Sequence, residues 1–179
     1  MTRYIALLRG INVGGINIKM AALADTVLAL GHTGVHTVLA SGNVVFDSDD
    51  ADGAALKSGL EQALSAAFDY QAWVVLLTGQ ELEHCVDAFP FDDRDGWHSY
   101  VLFGSEPGVL DELLEAAPTL DAADERIQPG QSVLYWQVRR EVGIKSAFST
   151  LSAKARYKAS TTTRNLRTLH KILGVASTR

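Results

Sequence analysis

Three short polar signatures carry the residues of this 179-residue chain whose types could do chemistry. They are Arg9-Gly10-Ile11-Asn12-Val13-Gly14-Gly15, Ser41-Gly42-Asn43 and Thr161-Thr162-Thr163-Arg164-Asn165. Arginine offers a bidentate donor to phosphate or carboxylate, and asparagine offers a neutral donor and acceptor. A glycine loop between a strand and a helix can turn its N–H groups onto an anion. The glycines permit the positive φ angles and close approach that this needs. The chemistry expected is binding of a small anion, a phosphate or nucleotide, in a polar pocket between two subdomains. Its predicted residues are Arg9, Asn12, Gly14, Gly15, Ser41, Asn43, Thr163, Arg164 and Asn165. No nucleophile or general base stands out, so no enzymatic reaction is assigned. The glycine spacing is neither G-x-x-x-x-G-K-[ST] nor G-x-G-x-x-G, and Lys19 lies beyond the loop, so no cofactor is assigned either.

Each signature also has a structural reading. The glycine loop can be a tight turn with Arg9 in an ordinary ion pair. Asn43 can occupy a left-handed turn conformation. Thr161 to Thr163 offer N-cap hydroxyls to an amphipathic helix whose solvated basic face holds Arg164, Arg167 and Lys171. In a fully architectural version, the arginines pair with an acidic body and Asn12, Asn43 and Asn165 satisfy loop backbone.

The elements that must position these residues follow from periodicity and punctuation. Tyr4 to Leu8 reads as a strand, and Met20, Leu23, Ala24, Val27 and Leu30 recur at helical spacing before Gly31. Strands are expected at Val35 to Leu39, Val44 to Phe46 and Ala72 to Leu77, with a helix capped by Asp52 before the last. That order, β-α-β-β-α-β, is ferredoxin-like. It places strands one and three side by side and antiparallel, so Arg9 and Asn43 share one end of the sheet.

The second half echoes the first in part. Thr78 and Glu81 form a capping box for a helix through Leu82, Cys85, Val86 and Phe89, ended by Pro90. A strand at Tyr100 to Phe103 precedes a helix with Pro107 in its first turn and Pro118 as its stop. Glu125 to Gln128 and Val133 to Val138 flank a Pro129-Gly130 turn, and helices follow around Ala147 to Ala155 and Thr162 to Leu173. The expected organisation is α+β: a ferredoxin-like subdomain over 1–78 and a second, partly similar α+β subdomain over 79–179.

Charge divides the chain. Residues 139–179 carry ten Lys/Arg and one acid, whereas residues 1–138 carry six Lys/Arg and twenty acids. The net charge of −5 therefore combines +9 with −14. Such a basic segment either faces an anionic ligand or packs across the acidic body. A further alternative is single-stranded nucleic acid on this segment, with Tyr157 or Trp136 stacking bases. No run approaches a membrane span of roughly 20 apolar residues. One cysteine, Cys85, leaves no internal disulfide and reads as a core thiol, and a soluble cytoplasmic protein is expected. No metal site is expected. His32 and His36 are separated by Gly34 and a strand start, and Asp92, Asp93 and Asp95 lack the twelve-residue loop of a calcium site.

The chain resembles the family catalogued as domain of unknown function 1697, a bacterial group. The matching stretches are Leu7 to Gly15, Met20, Ser41 to Phe46, and Thr162 to Asn165 with Thr168 and Leu173. The resemblance implies two α+β subdomains, the first ferredoxin-like, and brings no activity with it. Where the family usually has an aromatic after the Arg-Asn pair, this chain has Leu166.

Overall fold

The structure is a computed structural model that describes residues 1–12, 16–106 and 108–178. The predicted site residues Gly14 and Gly15 lie outside the described residues, as does Pro107.

The first half runs β1 (Thr2–Leu8), α1 (Met20–Ala29), β2 (Thr33–Thr37), β3 (Asn43–Ser48), α2 (Gly53–Phe68), β4 (Val74–Thr78) and α3 (Gly79–Asp87). The second runs β5 (Trp97–Gly104), α4 (Val109–Leu114), β6 (Glu125–Pro129), β7 (Val133–Arg139), α5 (Ala147–Ser152), α6 (Ala155–Ser160), β8 (Thr161–Asn165) and α7 (Leu166–Ala176). Each half builds one four-stranded antiparallel sheet, in the orders β2-β3-β1-β4 and β6-β7-β5-β8. The fold is mixed α+β.

The chain forms two compact units, Met1–Glu83 with His170–Arg179, and His84–Leu169. The expected division, 1–78 and 79–179, followed chain continuity and left the C-terminus with the second half. In the structure the end of α7 belongs with the first unit. There the Arg3 guanidinium donates to the carbonyls of Ala176 and Thr178 while its other nitrogens grip Asp47.

In the first unit, alternation along β1 sends Tyr4, Ala6 and Leu8 into one core with Val44 and Phe46 of β3. Leu23 and Val27 from α1, and Leu56, Leu60 and Leu64 from α2, close it. Each of these leucine, valine and phenylalanine side chains contributes about 1.5–3 kcal/mol of burial. Asp52 caps α2 as expected, accepting from the N–H groups of Ala54 and Ala55. The Thr78–Glu81 capping box at α3 forms in full. In the second unit, Leu102, Leu113, Leu134, Trp136, Val138 and Phe148 make the core.

Three expectations need correction. Thr161–Asn165 is a strand, not the start of a helix. It pairs with β5 from Gly104↔Thr161 to Tyr100↔Asn165, and the β-branched threonines suit that extended backbone. The cap of α7 is Asn165, whose Oδ1 accepts the Arg167 N–H at 2.9 Å, so the threonine hydroxyls are not caps. Pro118 does not simply stop α4. It lies inside a short 3-10 turn, Ala117–Thr119.

Candidate functional site

The antiparallel pairing of β1 with β3 brings the first two signatures to one end of the first sheet. Leu7 pairs with Asn43, and the Leu8 N–H donates to the Gly42 carbonyl at 2.8 Å. Gly42 has φ +74°, and a Cβ there would meet Ile11 Cδ1 at 2.5 Å, so the hairpin approaches the β1–α1 loop closely. Gly42 and Leu39 (φ 60°) take the left-handed positions of this turn, and Asn43 does not. Asn43 is instead fully buried. Its Nδ2 donates to the Val38 carbonyl at 2.7 Å and to Ser41 Oγ at 2.9 Å.

Asn12 has φ 55° and is exposed, and its amide is committed to backbone. Its N–H donates to the Ile16 carbonyl at 2.6 Å. Its Oδ1 accepts the Ile18 N–H at 3.0 Å, while Nδ2 donates to the Ile18 carbonyl and, at 2.6 Å, to the Ala40 carbonyl. One side chain thus closes the loop on itself and ties it to the β2–β3 hairpin.

Arg9 lies on the other side of this sheet end. Its backbone N–H donates to the Trp73 carbonyl, and its guanidinium carbon sits 5.8 Å from the Trp73 ring centroid. Lys57, paired with Glu61, approaches the same ring to 5.7 Å. Burial raises the Tyr70 phenol above its ordinary value, and the Arg9 charge opposes that shift.

Between the β1–α1 loop and the hairpin lies an open depression of about 560 Å³, lined by Asn12, Ile16, Asn17, Ile18, Lys19, Met20 and Ala40. Of the predicted residues described in the first unit, Asn12 lines it, and Arg9, Ser41 and Asn43 do not. Lys19 occupies the N-cap position of α1, and α1 has neither a side-chain cap nor an acid in its first turn. The first helical bond runs from the Leu23 N–H to the Lys19 carbonyl, which leaves the preceding N–H groups directed outward. A cation therefore sits at the positive end of a helix dipole, where only an anion is favourable. By spacing alone Lys19 stands outside the phosphate-loop patterns, so the sequence motifs do not single it out. The legible signal was the run Ile16-Asn17-Ile18-Lys19, with no Ser, Thr, Asp or Asn directly before Met20.

In the second unit, Arg164 is 7% exposed, so it does not stand on a solvated helix face. Its Nη1 donates to Thr162 Oγ1 at 2.8 Å and to the Thr163 carbonyl at 3.0 Å, and burial lowers its pKa to about 10. Thr163 is exposed, and Asn165 caps α7. Trp136 is buried, stacked on Tyr100 with centroids 4.9 Å apart, and its Nε1 donates to Glu125. It is not a free platform for a base. Tyr157 is half-buried, with its hydroxyl 3.4 Å from Glu112. Cys85 is a buried free thiol that desolvation pushes up to about 11. No group of metal-ligating side chains occurs among the described residues, and no helix among them is long and apolar enough to cross a membrane.

The family model for a protein of unknown function, DUF1697, matches residues 1–135. The chain belongs to this family. The match takes in Arg9, Asn12, Ser41 and Asn43 and ends before the Thr163-Arg164-Asn165 signature. A solved structure, that of conserved bacterial protein SP0830 from Streptococcus pneumoniae, has a similar fold at a TM-score of 0.82. It is 28% identical, and the alignment covers 98% of each chain. No curated protein matches. DUF1697 membership thus identifies the chain without assigning a reaction.

Proposed function

We propose that this DUF1697 protein binds a small anion, a phosphate or a phosphorylated metabolite, in the depression at the N-terminus of α1. The observation that carries the reading is Lys19 at the cap position of a ten-residue helix that has no acidic or side-chain cap. In this arrangement the outward N–H groups of the first turn hold the anion, Lys19 neutralises it, and Asn17 orients it. Asn12 serves the site by holding the loop shut rather than by touching the ligand. The strand order β2-β3-β1-β4 supports reading this unit as ferredoxin-like. The single, buried cysteine fits a cytoplasmic setting.

The test is a titration of the full chain with inorganic phosphate and then pyrophosphate, followed by the amide shifts of Met20, Ala21 and Ala22. Saturable shifts that disappear in Lys19→Glu support the site. Shifts that are absent, or unchanged in Lys19→Glu, reject it.

A second reading has its own observation. Asn12, Asn43 and Asn165 all bond to backbone groups, as an architectural role requires. It accounts for these signatures without any ligand, and it predicts that their loss costs stability whether or not phosphate binds. Nucleic-acid binding has less support, because Trp136 is committed to the core.

A further inference from the structure

The second unit has a recess at the same topological place, between its first strand-to-helix connection and its first hairpin, with the opposite chemistry. It encloses about 380 Å³ between the β5–α4 connection and the β6–β7 turn. Leu110 and Leu114 of α4 and Val133 and Leu134 of β7 give it an apolar floor. Two carboxylates, Glu106 and Asp111, stand at its rim. Both are exposed, and neither side chain takes part in an ion pair or hydrogen bond among the described residues. The neighbouring Glu112 shows the contrast, since it is already matched by Arg156. Asp111 lies in the first turn of α4, where a carboxylate offsets the helix dipole, but Glu106 precedes that helix. Gly130 shapes the wall: a Cβ there would run into the Tyr135 ring and meet Val133 Cγ2 at 2.8 Å.

We propose that this recess binds an amphipathic organic cation, a primary ammonium carried on a short apolar body. The apolar body covers the leucine floor and leaves water, which drives association. The ammonium has three donors and no acceptor, a match for carboxylates that form no ion pair among the described residues, although Arg156 shares the adjoining depression with Glu106. Neither a simple cation nor a neutral apolar molecule satisfies both halves of the recess. Because the recess is open and small, the affinity expected is on the order of 1 mM.

The experiment is an NMR titration of the full chain with n-hexylammonium chloride, read at the methyl groups of Leu110, Leu114 and Val133. Ammonium chloride and n-hexanol serve as the two half-ligands. The proposal expects saturable methyl shifts with n-hexylammonium, none with ammonium chloride, and affinity about tenfold weaker in Glu106→Gln/Asp111→Asn, the size of one modest charge contact. Should the double variant unfold, Glu106→Gln alone and the salt dependence of wild-type binding carry the same expectation. Shifts that fail to saturate, an equal affinity for n-hexanol, or binding unchanged by the substitutions or by salt would each overturn it.

Discussion

The hairpin of the first unit, between β2 and β3, and that of the second, between β6 and β7, occupy equivalent places in sheets of the same connectivity. Their polar groups are satisfied in different ways. In the first unit the Val38 N–H closes the turn onto the Asn43 carbonyl, and side-chain amides are added to it: Asn43 spans the turn from inside, and Asn12 reaches in from the β1–α1 loop. In the second unit the turn is closed by backbone, with the Gly130 N–H donating to the Val133 carbonyl. Its buried polar anchor lies at the far end of β6, where Glu125 accepts from Trp136 Nε1 at 3.1 Å and from the Phe148 N–H at 2.9 Å. A common topology thus requires that the turn's donors and acceptors be met, but leaves open which residue meets them. The recesses beside the hairpins diverge likewise, one carrying Lys19 and the other Glu106 and Asp111.

The strongest way to break this comparison is to remove the two anchors in turn. Glu125→Ala should cost about 3 kcal/mol or more by urea unfolding, since it orphans a buried indole N–H and a helix N–H. A loss under 1 kcal/mol would show that the carboxylate is not the anchor of the second unit. Asn43→Ala should cost about 2 kcal/mol, because the buried Val38 carbonyl loses a donor. Equal stability of that variant and wild type would remove the architectural role of the Ser41-Gly42-Asn43 signature.

Titration sharpens the contrast further. Burial lifts the Cys85 thiol from 9.0 to about 11, with the neighbouring Tyr135 hydroxyl opposing the shift. A folded value above the unfolded one means that this contribution is complete below pH 9 and is lost as pH rises through about 11. The difference between wild-type and Cys85→Ala stability should therefore shrink over that window by on the order of 1–2 kcal/mol. A flat difference curve would refute it. The smallest effect is expected at α1. Lys19→Asp supplies the missing cap and should raise stability by about 1 kcal/mol while abolishing phosphate binding. If the substitution destabilises the protein, Lys19 has a structural partner and the anion reading weakens.

Much of the architecture was legible because it rests on local patterns. The helical spacing from Met20 to Val27, the Asp52 cap and the Thr78–Glu81 box each involve residues a few positions apart, and each forms as read, whereas Leu30 is the exposed C-cap residue rather than part of the apolar face. The convergence of Arg9 and Asn43 at one sheet end was also readable, since it follows from strand order alone. β8 was not. Threonines followed by an amphipathic run serve equally as helix caps and as β-branched strand residues. Pairing with β5, about 60 residues earlier in the chain, decides between them.

The same division holds for the candidate site. Sequence alone determined that this chain has Arg9 and Asn43 at strand ends and an acidic body with a basic C-terminal segment. It also determined that no helix is long enough for a membrane, at least among the described residues. Tertiary structure decided what those groups touch. The amide of Asn12 finds the Ala40 carbonyl 28 positions away, and the Arg164 guanidinium is enclosed rather than displayed. Polar side chains bind whatever donor or acceptor the folded backbone leaves unmatched, and that remainder exists only once distant strands have paired.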